Sequence, residues 1–428
     1  MNRVREGIVR VIGRRYFYGW TMVGVAGLAI FASGPGQSHT FSVFIEEISR
    51  DLDVSSTSIA TAYGLATLGA ALLLPYMGRL VDRHGARRMM GLIVLCLGGA
   101  CLFFGAAANL LWLGIAFALL RFFGQGSMML GSANLMAQWF DRRRGFAVSM
   151  MALGFGVSMA VHPPLSQHLI ETVGWREAWF WLGISTWLMM LPPIVLLIVN
   201  RPEDIGTTPD GRAQPENRLQ PDDITDQATG LTRADALREP VFYILASGCF
   251  AISMLVTTLH FYQVSILTHH GLDSDAAAGV FVVSAFSMIA CMPAVGFMFD
   301  RFPTRFVFAS GLLVTTGCLT GITFVTDNGS AIVYAVFFGL NNAFGMTIFG
   351  YIWPRYFGRR HIGAIQGTGQ LIGIVGASLG PLPVGLALDL TGSADATLRL
   401  LALLPVLCAG MALFLRTPRC IGKGASLD

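Results

Sequence analysis

The chain alternates long apolar runs with short polar breaks, and the runs are too long for the interior of a soluble domain. Twelve are legible, near 17–44, 57–77, 89–108, 110–138, 145–172 and 177–199, then 241–270, 276–299, 305–325, 330–356, 362–389 and 395–415. Most contain a charge-free stretch of about 18 to 25 residues, the length that crosses roughly 30 Å of hydrocarbon as a helix. Backbone in lipid must satisfy its own hydrogen bonds, and a helix does so within one segment. The pattern predicts an all-α membrane protein of twelve transmembrane helices. The first run has no evident small-residue cleavage site and is followed by many more, so it reads as a span and not a signal peptide.

One long polar stretch, 201–240, rich in Asp, Pro, Gln and Thr, divides the runs six and six. It cannot bury enough apolar area to form a domain and reads as a linker, with a helical turn over Ala234–Arg238. The predicted organisation is a tail over 1–16, a six-helix bundle over 17–200, the linker over 201–240, a second six-helix bundle over 241–416 and a tail over 417–428.

Composition agrees. The chain is 54% hydrophobic and 13% charged, with mean hydropathy +0.61, where soluble domains carry about a quarter charged residues. A net charge of +4, scattered along the chain, gives no case for a nucleic-acid partner. Six of the seven cysteines lie inside apolar runs with no paired or metal-like spacing, as buried thiols do. The 50 glycines recur at helix-like spacing within spans, which close helix packing in lipid explains. No Ser-His-Asp set, metal spacing, phosphate loop or carboxylate pair lies in the spans, so no enzyme, cofactor or metal is expected.

The two halves repeat. Gly78-Arg79-Leu80-Val81-Asp82-Arg83-His84-Gly85-Ala86-Arg87 returns 218 residues later as Gly296-Phe297-Met298-Phe299-Asp300-Arg301-Phe302-Pro303-Thr304-Arg305. Both read Gly-x3-Asp-Arg-x3-Arg, and each is expected to be a short charged loop. Phe140-Asp141-Arg142-Arg143-Arg144-Gly145 likewise pairs with Phe357-Gly358-Arg359-Arg360-His361-Ile362-Gly363. Parallel repeats of this kind build the two-bundle transporters.

Basic residues set the orientation. Of 29 Arg and Lys, 25 fall in the two tails with the adjoining Arg416, the central linker and the loops at 78–88, 139–145, 300–305 and 355–360. Arg50, Arg176 and Arg399 lie on the opposite side, and Arg121 lies inside a span. This positive-inside bias predicts cytoplasmic termini and a cytoplasmic linker.

With the repeated loops, the six-plus-six layout and Arg121 in the fourth span, the whole chain resembles the major facilitator superfamily. Tyr18-Gly19-Trp20, the Trp139–Gly145 stretch and Arg201-Pro202-Glu203-Asp204-Ile205-Gly206 look like bacterial relatives of the monocarboxylate and oxalate/formate transporters, proteins of the inner membrane. The resemblance implies a cytoplasmic gate formed by Asp82, Arg83, Arg87, Asp300, Arg301 and Arg305. Charge physics supports such a gate, because an Asp beside arginines at a helix end can hold a charge-assisted bond that releases as the halves rock. The alternative is that the arginines only enforce topology.

Arg121 lies about eleven residues into the fourth span, roughly 17 Å deep at about 1.5 Å per residue. A cation there normally faces a cavity or a partner. It reads either as an anion-binding or coupling group or as an Arg tied to backbone carbonyls of a neighbouring helix. Gln125 and Ser132, at i+4 and i+11, are expected on its face. His39 follows the helix-breaking Gly34-Pro35-Gly36, at the place where the resembling animal transporters carry a lysine, and His260 has about the same depth in the seventh span. An imidazole can carry a coupled proton or meet an anion. His162 and His168 are expected in packing or headgroup contact, and His269 and His270 as solvated.

The second half departs from the family. Met288 and Met292 occupy the eighth-span places of an Asp and an Arg, and no lysine stands among Gln366, Thr368 and Gln370 in the eleventh span. Met288, Met292, Phe337, Phe338 and Trp353 would suit an apolar ligand body, or simply pack. Asn341 and Asn342 would orient a ligand or join helices.

The expected function is secondary active transport of a small organic acid with an apolar body, moved with a proton by alternating access. The expected partners are that small molecule, the proton and the lipid bilayer. Within the same class the alternative is export of an apolar or weakly cationic compound. In another class it is a membrane sensor with this fold, for which the short tails and 40-residue linker leave no output domain.

Overall fold

The computed structural model describes residues 7, 9, 11–13, 16–140, 143–211, 231–357 and 362–416. Every regular element among them is helical. Eleven helices are long and apolar enough to cross a membrane, and the shorter Gly19–Ala32 begins the first span. That span is not the continuous helix expected over 17–44. It stops at Ala32, passes through a 3-10 turn over Gly34–Gly36 and a helical turn over Ser38–Phe41, and resumes as Ile45–Leu52. Pro35 lacks an N–H and Gly disfavours helix, so the ladder breaks there. The freed groups are recovered locally: Thr40 Oγ1 donates to Gly34 O over 2.6 Å, and Ser33 Oγ to Ile30 O over 2.7 Å.

The repeated charged segments are helix ends and not loops. The second span runs through Arg83 to His84, and the third begins at Ala86. Only Gly85, at φ +82°, separates them. In the second repeat the eighth span runs to Arg301 and the ninth begins at Thr304. Charged side chains at a helix terminus need no loop to reach water, so the charge pattern alone misplaces the boundary. The turn expected near 234–238 is present as the helix Arg233–Ala236.

The described helices form two compact units, Met1–Val54 with Leu65–Arg218, and Ser55–Gly64 with Leu219–Asp428. In the first unit, the sequence signatures converge on the end of the sixth span, Trp175–Leu196. A helix leaves its last four carbonyls without intrahelical partners. Here Arg87 donates from Nε to Ile194 O and from Nη2 to Val195 O. Just beyond, Tyr18 Oη donates to Leu197 O over 2.7 Å and Trp139 Nε1 to Val199 O over 2.9 Å. Asn200 Oδ1 in turn accepts from the Arg87 backbone N–H. Three motifs far apart in sequence thus cap one helix.

In the second unit, the seventh span runs over Pro240–His269 and the tenth over Asn328–Phe357. The tenth lies close against the eighth, with Ser287 Oγ donating to Val336 O over 2.8 Å. A Cβ on Gly339 would meet the Met288 backbone nitrogen at 2.8 Å, the close approach that small residues permit in membranes. The first turns of the second span belong to this unit. Asp389 accepts from the Ser56 N–H at 2.9 Å and the Thr57 N–H at 2.8 Å, and Tyr262 Oη donates to Ser56 O over 3.0 Å.

Candidate functional site

In the first unit the fourth span is α-helical over Leu110–Leu120, π-helical over Arg121–Met128 and α-helical again over Met129–Trp139. Such wide turns collect at functional sites. Arg121 opens the π segment and is 3% exposed. Its Nε donates to Thr67 Oγ1 and its Nη1 to Gly36 O, both over 3.2 Å. The π turn and the broken first span therefore meet backbone to backbone. A Cβ on Gly36 would overlap the Leu120 carbonyl, and one on Gly124 would reach Gly36 Cα at 2.9 Å. Arg121 is tied to a neighbouring carbonyl, as one reading had it. It also sits beside the helix break of the first span.

The expected polar face is not kept. Gln125 is exposed while Arg121 is buried, because i→i+5 winding takes i+4 off the face that an α-helix would share. Ser132, back in α-helix, is buried and lies 3.5 Å from Ala26 O.

His39, on the turn after Gly36, is 1% exposed. Its Nε2 lies 3.2 Å from Ser158 Oγ, and Ser158 Oγ lies 3.1 Å from His162 Nδ1. Phe155 meets the His39 ring edge-on at 5.5 Å, and Phe31 lies 4.9 Å from the His162 ring. His162 thus packs inside the unit, and His168 is exposed.

In the second unit His260 is buried between Phe281, stacked at 6.1 Å, and Phe338 at 4.9 Å. Nearby in sequence, Gln263 Oε1 accepts from Tyr334 Oη over 3.1 Å. Asn341 Oδ1 accepts from Thr315 Oγ1 over 2.7 Å, the geometry of a helix-to-helix link, and Asn342 Nδ2 donates to Phe338 O in its own helix. Gln263 Nε2 and Asn341 Nδ2 are buried donors with no acceptor among the described residues. Met288 is buried, Met292 half-buried and Phe337 exposed. Trp353 packs on Phe242 and Phe357 and serves the core there. His270 is not simply solvated, because its Nε2 pairs with Asp395 Oδ1 at 3.1 Å.

Of the gate residues, Arg83, Arg301 and Arg305 are exposed, and Arg305 lies over the Phe306 ring at 4.9 Å. Arg87 is occupied by the sixth-span carbonyls. The side chains of Asp82, Asp300 and Gln366 lie outside the described residues, as do Asp141, Arg142 and 358–361. Ser158, Thr67, Gln263 and Tyr334 are candidate site residues that sequence reasoning missed. Gln263 was the most legible, as an uncharged amide inside an otherwise apolar span.

Helices of membrane length, duplicated signatures and a buried cation beside a broken helix are the build of an integral membrane protein. The Major Facilitator Superfamily model matches residues 26–381 and 263–425, and the chain belongs to that family. It is 27% identical over 425 residues to human Monocarboxylate transporter 11, covering 94% of this chain and 84% of that protein. It is 22% identical over 344 residues to the Escherichia coli MFS-type transporter YhjX, covering 78% and 80%. A bacterial homolog of the human lysosomal transporter Spinster, in its inward-facing occupied structure, superposes with TM-score 0.68 at 15% identity. That match covers 93% of this chain and 96% of the other, and shares the fold.

Proposed function

We propose that the protein is a secondary active transporter that carries a small organic acid together with a proton by alternating access. The observation that carries this reading is Arg121, a buried guanidinium fixed by Thr67 and Gly36 three residues before His39. A buried cation disfavours a second positive charge nearby. An anion arriving at Arg121 therefore eases proton uptake at His39, and by linkage a proton at His39 eases anion binding. The pairing of anion and proton follows from charge alone. The monocarboxylate transporters among its relatives support the same substrate class.

Recognition in the second unit falls to neutral groups. His260 between two Phe rings, half-buried Met292 and the donors of Gln263 and Asn341 suit an acid whose body is apolar and whose oxygens accept hydrogen bonds. The basic-residue bias supports cytoplasmic termini and linker in a bacterial inner membrane. The duplicated Asp and Arg helix ends support a cytoplasmic gate.

The test is uptake into proteoliposomes over a panel of acetate, pyruvate, lactate, oxalate, benzoate and phenylacetate, with and without an inward proton gradient. Accumulation of at least one acid that collapses with a protonophore is expected. With apolar and weakly cationic compounds added to the panel, movement of these and of none of the acids would overturn the reading.

A further inference from the structure

His39, Ser158 and His162 form an unbroken hydrogen-bonded chain, with links of 3.2 Å and 3.1 Å. They are 1%, 0% and 5% exposed. The contacts of His162 set its tautomer. His162 Nδ1 lies 3.1 Å from the Ser158 carbonyl oxygen as well as from its hydroxyl. A carbonyl only accepts, so Nδ1 carries the hydrogen and neutral His162 keeps its lone pair on Nε2. The Ser158 hydroxyl receives from that N–H, which leaves its own hydrogen available to the lone pair of His39 Nε2 when His39 is the Nδ1–H tautomer. The chain is polar from end to end, from His162 N–H through Ser158 O–H to His39 N.

Both rings are clamped, His162 by Phe31 and His39 by Phe155. Gly34 lets the first lie where it does, because a Cβ there would fall inside the His162 ring. Few other titratable groups face the chain. Gly19–Ala32, Leu110–Leu120 and Met129–Trp139 have none. The π turn brings Arg121, bonded to Gly36 O. The fifth span adds Arg144, His168 and Glu171, and the sixth Arg176 and Glu177, all towards helix ends.

We propose that Ser158 and His162 deliver the proton to His39. A proton binds His162 Nε2, the Nδ1–H bond breaks as Ser158 Oγ takes that hydrogen, and the former Oγ–H bond breaks as His39 Nε2 gains one. Three bonds to hydrogen form and two break for the one proton that enters. His39 ends as imidazolium and His162 as the Nε2–H tautomer, with a lone pair now facing the Ser158 carbonyl. That contact is repulsive and favours return of His162 to its starting tautomer. The wire rests on the reading of His39 as the coupled carrier.

Two experiments on the full chain separate the wire from that reading. Nitrogen-15 histidine spectra in lipid nanodiscs need no substrate. They should show neutral His162 as the Nδ1–H tautomer, and in Ser158→Ala the His39 resonance should no longer respond to His162→Gln. An Nε2–H tautomer at His162 in the starting state, or a His39 response that persists without the hydroxyl, overturns the wire. In proteoliposomes loaded with a pH dye, proton entry driven by the acid that the panel identifies should slow by about 10²-fold in Ser158→Ala and His162→Gln, the ordinary worth of a positioned proton-transfer group. Gly34→Ala, whose added Cβ displaces the His162 ring while every titratable group is kept, should slow it too. Loss in His39→Gln with normal rates in Ser158→Ala and Gly34→Ala would overturn the wire and leave the carrier standing. Normal rates in His39→Gln would overturn both.

Discussion

Arg121 Nη1 donates to Gly36 O over 3.2 Å, joining a π-helical stretch of the fourth span to the 3-10 turn that breaks the first. Each irregularity provides for the other. The break frees a carbonyl, the π turn carries a cation, and the bond between them gives that carbonyl a charged donor.

Arg121→Ala should reduce transport by about 10- to 150-fold, matching the roughly 1.5–3 kcal/mol of a hydrogen bond to a charged group. Arg121→Lys should recover little, since an ammonium lacks the planar fork that reaches Thr67 and Gly36 together. Thr67→Val, which keeps the cation and removes one acceptor, isolates positioning from charge. Initial uptake rates normalised to membrane abundance decide it, and full activity in the Ala variant would remove Arg121 from the mechanism.

Gly36→Ala and Gly124→Ala should lower stability by about 1–3 kcal/mol each, the range for overpacking a filled contact. The cause is the added Cβ, which meets only backbone at Gly36 and, at Gly124, meets the Gly36 backbone first and the Leu97 side chain beyond it. Thermal melting followed by size-exclusion chromatography reads this directly. A melting point equal to the parent's would show that the two segments can separate freely.

The duplicated helix ends should divide into two roles. Arg87→Ala should cost about 1–3 kcal/mol of stability by leaving Ile194 and Val195 carbonyls unsatisfied. Asp82→Asn and Asp300→Asn should instead slow conformational exchange far more than they weaken substrate binding. Counterflow rates and binding affinity, measured on the same preparations, distinguish these outcomes. A large affinity loss in the Asp variants at normal turnover would refute a gate.

Asp389→Ala should destabilise the start of the second span by about 0.5–2 kcal/mol, the range for losing an N-terminal capping group. Amide hydrogen exchange at Ser56 and Thr57 should quicken accordingly. Unchanged exchange there would mean that the backbone holds this turn without the carboxylate.

Accumulation driven by a proton gradient should fall much further than counterflow in His39→Gln, because the amide keeps hydrogen bonding and loses titration. Acidifying the outside should raise uptake by the parent and have little effect on the variant. Equal accumulation by both would place the proton elsewhere, with His260 the next candidate to replace.

Sequence alone determined that this is a helical membrane protein of twelve duplicated runs, because span length and lipid exposure act locally on every residue. It also singled out Arg121, His39 and His260, since an ionisable group in an apolar run is conspicuous wherever the helix lies. Tertiary structure decided the rest. Whether Arg87 guards a gate or caps a helix depends on where Ile194 and Val195 come to lie, more than a hundred residues away. That Gln125 parts from Arg121 depends on a π turn that no spacing rule reports. Ser158 is an ordinary small polar residue until His39 and His162 are brought to either side of it. A hydrogen bond between distant segments is fixed by packing, and one residue's identity carries no record of its partner.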